Sequence, residues 1–81
     1  MDSNFIKEVL EECGYTIISH KASEYDPGNV RYGEATKGMD KATWNEKGNY
    51  LRIRKDADTR TAFNGIVRNA QELRVLLEIV R

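Results

Sequence analysis

The apolar positions of the chain fall into two periods, one helical and one alternating. At the start, Phe5, Ile6, Val9, Leu10 and Cys13 recur at helical spacing, with Lys7, Glu8, Glu11 and Glu12 on the opposite side. Asp2 or Ser3 can accept the first free amide protons of such a helix, and Gly14 suits the left-handed residue that ends it. Tyr15 to His20 is rich in β-branched and aromatic residues and predicts a strand. At the other end of the chain the pattern is stronger. Asn69, followed three residues on by Glu72, has the form of a capping box. Leu73, Leu76, Leu77 and Val80 make the inner stripe of the helix behind it, and Val75 and Ile79 widen that stripe.

Between the helices, Tyr50 to Lys55 alternates cleanly: Leu51 and Ile53 should face the core, with Tyr50, Arg52 and Arg54 on the other face. A strand at Ala42 to Asn45 and a turn at Glu46-Lys47-Gly48-Asn49 make this a hairpin. Asp56 to Thr59 reads as a second reversal, after which Arg60 to Val67 returns with Phe63 and Val67 inward and Gly65 at a bulge or close approach. Residues 23–40 carry no clear period. Asp26-Pro27-Gly28-Asn29 is a turn signal, Val30 to Tyr32 a short edge strand at most, and Gly33 to Gly38 reads as a loop. The order α-β-(β)-β-β-β-α predicts an α+β fold: a small, mostly antiparallel sheet of three to four strands with the two helices on one face, forming a single domain over residues 1–81.

Size narrows the function. With 81 residues the core is thin, and a deep cleft between subdomains does not fit, which argues against an enzyme. Net charge is zero, but its distribution is uneven. Residues 1–46 hold five basic and nine acidic groups; residues 47–81 hold eight basic, mostly Arg, and four acidic. Either the halves neutralise each other in the fold or they give a two-signed surface that faces a partner. Cys13 is the only cysteine and lies on an apolar stripe, so a reduced thiol and a cytoplasmic location are expected. No signal peptide or membrane span is expected, and the chain reads as complete from Met1.

Few residues suggest chemistry. Asp56 and Asp58 form a D-x-D that lacks the further oxygen ligands a cation needs, so no metal is expected, nor any cofactor. His20 is the sole histidine. Ser19 beside it points to the opposite face, and an exposed strand-end histidine is the expectation. Gly33 to Gly38 lacks the lysine of a phosphate-binding loop, since Met39 stands in its place. Tyr25, Tyr32, Trp44 and Tyr50 cluster in and beside the hairpin and the irregular stretch. They are residue types that dominate binding hot spots, and one small core cannot easily bury them all.

These features predict a non-catalytic protein-binding module that occupies a partner protein's surface through Tyr25, Tyr32, Trp44 and Tyr50. By association only, chains of this build suit regulators or inhibitors of the kind encoded by phages and mobile elements. The alternative is a nucleic-acid-binding domain in which Arg52, Arg54, Arg60 and Arg68 share one sheet face. Val75 and Ile79 either pack against the first helix or form the seam of a homodimer.

Overall fold

The computed structural model describes residues 5–22, 31–57 and 59–80. Helix α1 (Phe5–Glu12) and helix α2 (Ala70–Val80) bracket five strands: β1 (Thr16–Ala22), β2 (Arg31–Lys37), β3 (Asp40–Asn45), β4 (Tyr50–Lys55) and β5 (Arg60–Ile66). The strands form one antiparallel meander in chain order, with β1 and β5 at the edges. One apolar cluster joins Ile6, Val9 and Leu10 of α1 and Leu73 and Leu77 of α2 to Ala35, Ala42, Trp44, Leu51 and Ile53 of the sheet, so both helices lie on the same face. The α+β class is as expected.

The helix ends follow from their residues. Gly14 takes a φ of 99°, and the amides of Gly14 and Tyr15 bond back to Glu11 and Leu10, a Schellman ending that needs a left-handed residue. The Asn69 side chain accepts the Glu72 amide at 2.8 Å, while the Glu72 carboxylate reaches back to the Arg68 amide. Neither helix has a basic residue in its last turn to meet the negative end of its dipole. The sheet supplies them instead. Lys37, at the end of β2, donates to the Cys13 carbonyl at 2.7 Å, and Lys55, at the end of β4, donates to the Val80 carbonyl at 2.9 Å. The N-terminal capping expectation for Asp2 and Ser3 falls outside the described residues.

The sheet differs from expectation in the stretch read as a loop. Residues 31–37 form a full strand, paired on both sides, which brings the total to five rather than three to four. Its inward positions are Gly33, Ala35 and Lys37, too small or too polar to give an apolar period. Gly33 is small for a reason: a Cβ there would sit 2.2 Å from Cζ2 of Trp44, its cross-strand partner. The indole therefore lies directly on the β2 backbone.

Each edge strand also carries one extra residue. In β1, Ile18 is unpaired between Ile17 and Ser19; in β5, Ala62 is unpaired between Thr61 and Phe63. Each insertion reverses which side chains face the helices beyond it. His20 thereby turns inward opposite Gly33, and Arg60 turns to the side of Lys55. The bulge lies at Ala62, not at Gly65, which pairs with Leu51; Gly65 is instead a close approach, where a Cβ would sit 3.3 Å from Cζ of Phe63.

Two substitutions test this account by urea denaturation. Gly33→Ala forces the indole from its seat and should cost about 3 kcal/mol, in the range of core overpacking. Asn69→Ala removes the α2 cap and should cost about 1 kcal/mol.

Candidate functional site

The helices cover one side of the sheet, and among the described residues no element covers the other. Register assigns the open side row by row, because paired residues share a face. The first row runs Lys21, Tyr32, Asn45, Tyr50, Ile66 across the five strands. The second, one pleat on, runs Ser19, Glu34, Thr43, Arg52, Asn64. The third runs Thr16, Thr36, Lys41, Arg54, Thr61.

The open face is basic. It holds Lys21, Lys41, Arg52 and Arg54 against Glu34 alone, and Lys41 reaches Glu34 at 3.3 Å. The other described acids lie elsewhere: Glu8, Glu11 and Glu12 on α1, Glu72 and Glu78 on α2, Asp40 beside Lys55, and Glu46 and Asp56 in turns. Among the described residues, the acids other than Glu34 thus lie off this face. Tyr32 and Tyr50 stand 41% and 44% exposed on this face, and the Tyr50 hydroxyl donates to Asn64 Oδ1, which holds the ring down toward β5. Thr43, Asn45, Tyr50 and Arg52 line a shallow hollow of about 220 Å³ with Trp44 beneath.

The expected aromatic surface is only partly present. Trp44 is 3% exposed and belongs to the core, because Gly33 opens a seat for it on the covered side. Tyr25 lies outside the described residues. Tyr32 and Tyr50 remain, in one row with a single strand between them.

The expected arginine set also divides. Arg52 and Arg54 share the open face, but the Ala62 bulge carries Arg60 to the other side, where it pairs with Asp56 at 3.2 Å. Arg68 lies past the end of β5, in the approach to α2, and not on the sheet. The residues the expectation missed are Lys21 and Lys41. The alternation of Ala42 and Trp44 with Lys41, Thr43 and Asn45 could have placed Lys41. Val75 and Ile79 are exposed and so do not pack against α1.

Two polar clusters lie on the covered side. His20 is not exposed: its side chain is 14% accessible, and Nε2 lies 2.6 Å from Oε2 of Glu46, itself 11% accessible. The same oxygen accepts the Trp44 indole N–H at 3.0 Å, and the His20 and Trp44 rings are 5.8 Å apart. Glu46 is thus the common acceptor for a buried indole and a largely buried imidazole. At the opposite end of the sheet a cleft of about 260 Å³ is lined by Cys13, Tyr15, Lys37, Asp40, Lys55 and Arg74, among others. Its charged groups are engaged with one another or with helix ends: Lys55 with Asp40 at 3.0 Å, Arg74 with Glu12 at 3.1 Å, Lys37 with the Cys13 carbonyl. Burial, with the nearby Asp40 and Cys13, raises the Tyr15 phenol above its usual value. Cys13 is a free, half-buried thiol. Among the described residues no cluster of His, Cys, Asp and Glu could hold a metal, and no helix is long and apolar enough to cross a membrane.

No protein-family model matches this chain, and no curated protein or solved structure matches it.

Glu46→Ala should strand both the indole N–H and the imidazole and cost about 1–3 kcal/mol, read as a lower urea midpoint. Tyr15 gives a pH test. Its folded value is raised, so its contribution is intact below the unfolded value of about 10 and is lost as pH climbs from there through the folded value. Wild type should therefore lose stability above that pH faster than Tyr15→Phe, as measured by urea midpoints across an alkaline series.

Proposed function

We propose that this chain is a non-catalytic binding module, a regulator or inhibitor in kind, that acts by laying its open sheet face against an anionic partner. The observation that carries this reading is the charge of the open face: Lys21, Lys41, Arg52 and the half-buried Arg54 lie on it beside two half-exposed tyrosines, with Glu34 the lone described carboxylate among them. Tyr and Arg are the residue types that most often dominate binding energy. Half of each expected set meets here, Tyr32 and Tyr50 from the aromatic one, Arg52 and Arg54 from the basic one.

The non-catalytic part of the reading is supported by how the covered-side polar groups are used. Glu46 serves two donors of the sheet, and Lys37 and Lys55 serve the helix ends. These are structural tasks, and each group has a partner that explains it.

The reading is tested by capture from a lysate of the source cells. Wild type is compared with Tyr32→Ala/Tyr50→Ala, with Arg52→Glu, and with Val75→Ser/Ile79→Ser on α2. The expected outcome is a bound species that both face variants lose at least tenfold and the helix variant keeps. Loss confined to the helix variant would move the contact to α2 and overturn the proposal.

A further inference from the structure

We infer that the occupant of the open face is a single strand of nucleic acid, with bases stacked on Tyr32 and Tyr50 and phosphates held by Arg52, Arg54 and Lys41. This rests on the binding-module reading above and names its partner. The argument is one of register. The tyrosines stand in one row across the sheet, while Arg52 stands in the next row and Arg54 and Lys41 in the one after. Rows are two residues apart along a strand, about 7 Å. The face therefore presents a stacking line, with Arg52 one pleat away and the Lys41–Arg54 pair two pleats away. A nucleotide has the same layout, with a flat apolar ring on one side and an anionic backbone on the other.

The hollow between β3 and β4 fits the same occupant. It is bounded by the Tyr50 ring, the Asn45 amide, the Thr43 hydroxyl and the Arg52 guanidinium, which together offer a stacking wall and both donors and acceptors for a base edge. Tyr50 is already restrained by its bond to Asn64, so less side-chain freedom is lost on stacking. A duplex fits less well, because its bases are stacked on one another and both described helices lie on the opposite face, where neither can enter a groove. The five strands span about 19 Å across, room for a few nucleotides only. Lys41 is partly committed to Glu34, and Arg54 is half-buried with its Nε enclosed, so about two phosphates should be neutralised.

Fluorescence anisotropy with labelled oligo(dT) and oligo(rU) of about a dozen residues tests this, with unlabelled inorganic polyphosphate as a competitor that has charge but no bases. Both oligonucleotides should bind saturably at low salt, and the logarithm of affinity should fall against that of salt with a slope of about −1.4. Tyr32→Leu/Tyr50→Leu should weaken binding at least tenfold, and Arg52→Gln should flatten the slope. Val75→Ser/Ile79→Ser should bind as wild type. Urea midpoints near the wild-type value show that the face variants are folded.

Two results would overturn the inference while leaving the binding-module reading standing. In the first, the tyrosine variant binds as wild type and polyphosphate displaces the strand at equal charge, so that the face reads charge alone. In the second, no oligonucleotide binds but face-dependent capture of a protein persists, so that the occupant is an acidic protein surface. Failure of both oligonucleotide binding and face-dependent capture would remove both proposals.

Discussion

The constraint on which the architecture depends is one of coverage. Five strands at about 4.8 Å spacing make a sheet roughly as wide as two packed helices, each about 10 Å across. The described residues form two helices, of 8 and 11 residues. Both pack over Ala35, Ala42, Leu51, Ile53 and Trp44 on one side, and neither described helix is left for the other. The open face is thus what a chain of this size must leave uncovered if its core is to close. It is lined with Thr, Asn, Lys and Arg, residue types that tolerate water, and this makes the arrangement stable; Tyr32, Tyr50 and Ile66 depart from that rule.

Inside the core one contact organises one end of the sheet. The Trp44 indole rests on Gly33, donates to Glu46 and lies beside His20, which shares the same carboxylate. Three turns and strands, β1, β2 and the β3–β4 connection, are tied together through a single ring. The opposite end is tied by lysines instead, Lys37 on α1 and Lys55 on α2. A core this thin gains much from such ties, since its apolar burial alone leaves little margin against chain entropy.

How far the sequence revealed this depends on whether the signal was local. Helix α2 was legible because Asn69, Glu72 and the leucine stripe lie within one short window, and β4 because Leu51 and Ile53 alternate with Tyr50, Arg52 and Arg54. Strand β2 was not, because its inward residues are chosen for what crosses them, an indole on Gly33 and a helix over Ala35, and a small residue looks the same in a loop. Trp44 was misplaced for the same reason: its seat is made by a residue eleven positions away. His20 and Arg60 were misplaced by bulges at Ile18 and Ala62, both ordinary strand residues whose insertion leaves no mark on composition. Of the open face, Tyr50, Arg52 and Arg54 were readable from alternation alone; that they share it with Tyr32, Lys21 and Lys41 follows only from the pairing.

The two bulges have one more effect. An edge strand in regular pleat offers a row of amides and carbonyls that any extended chain can extend. Ile18 and Ala62 interrupt that row on both borders, which makes each a poorer template for strand addition. The meander is thereby guarded laterally: stacking copies side by side into a ribbon is disfavoured, and whatever approaches is directed to the flat of the sheet.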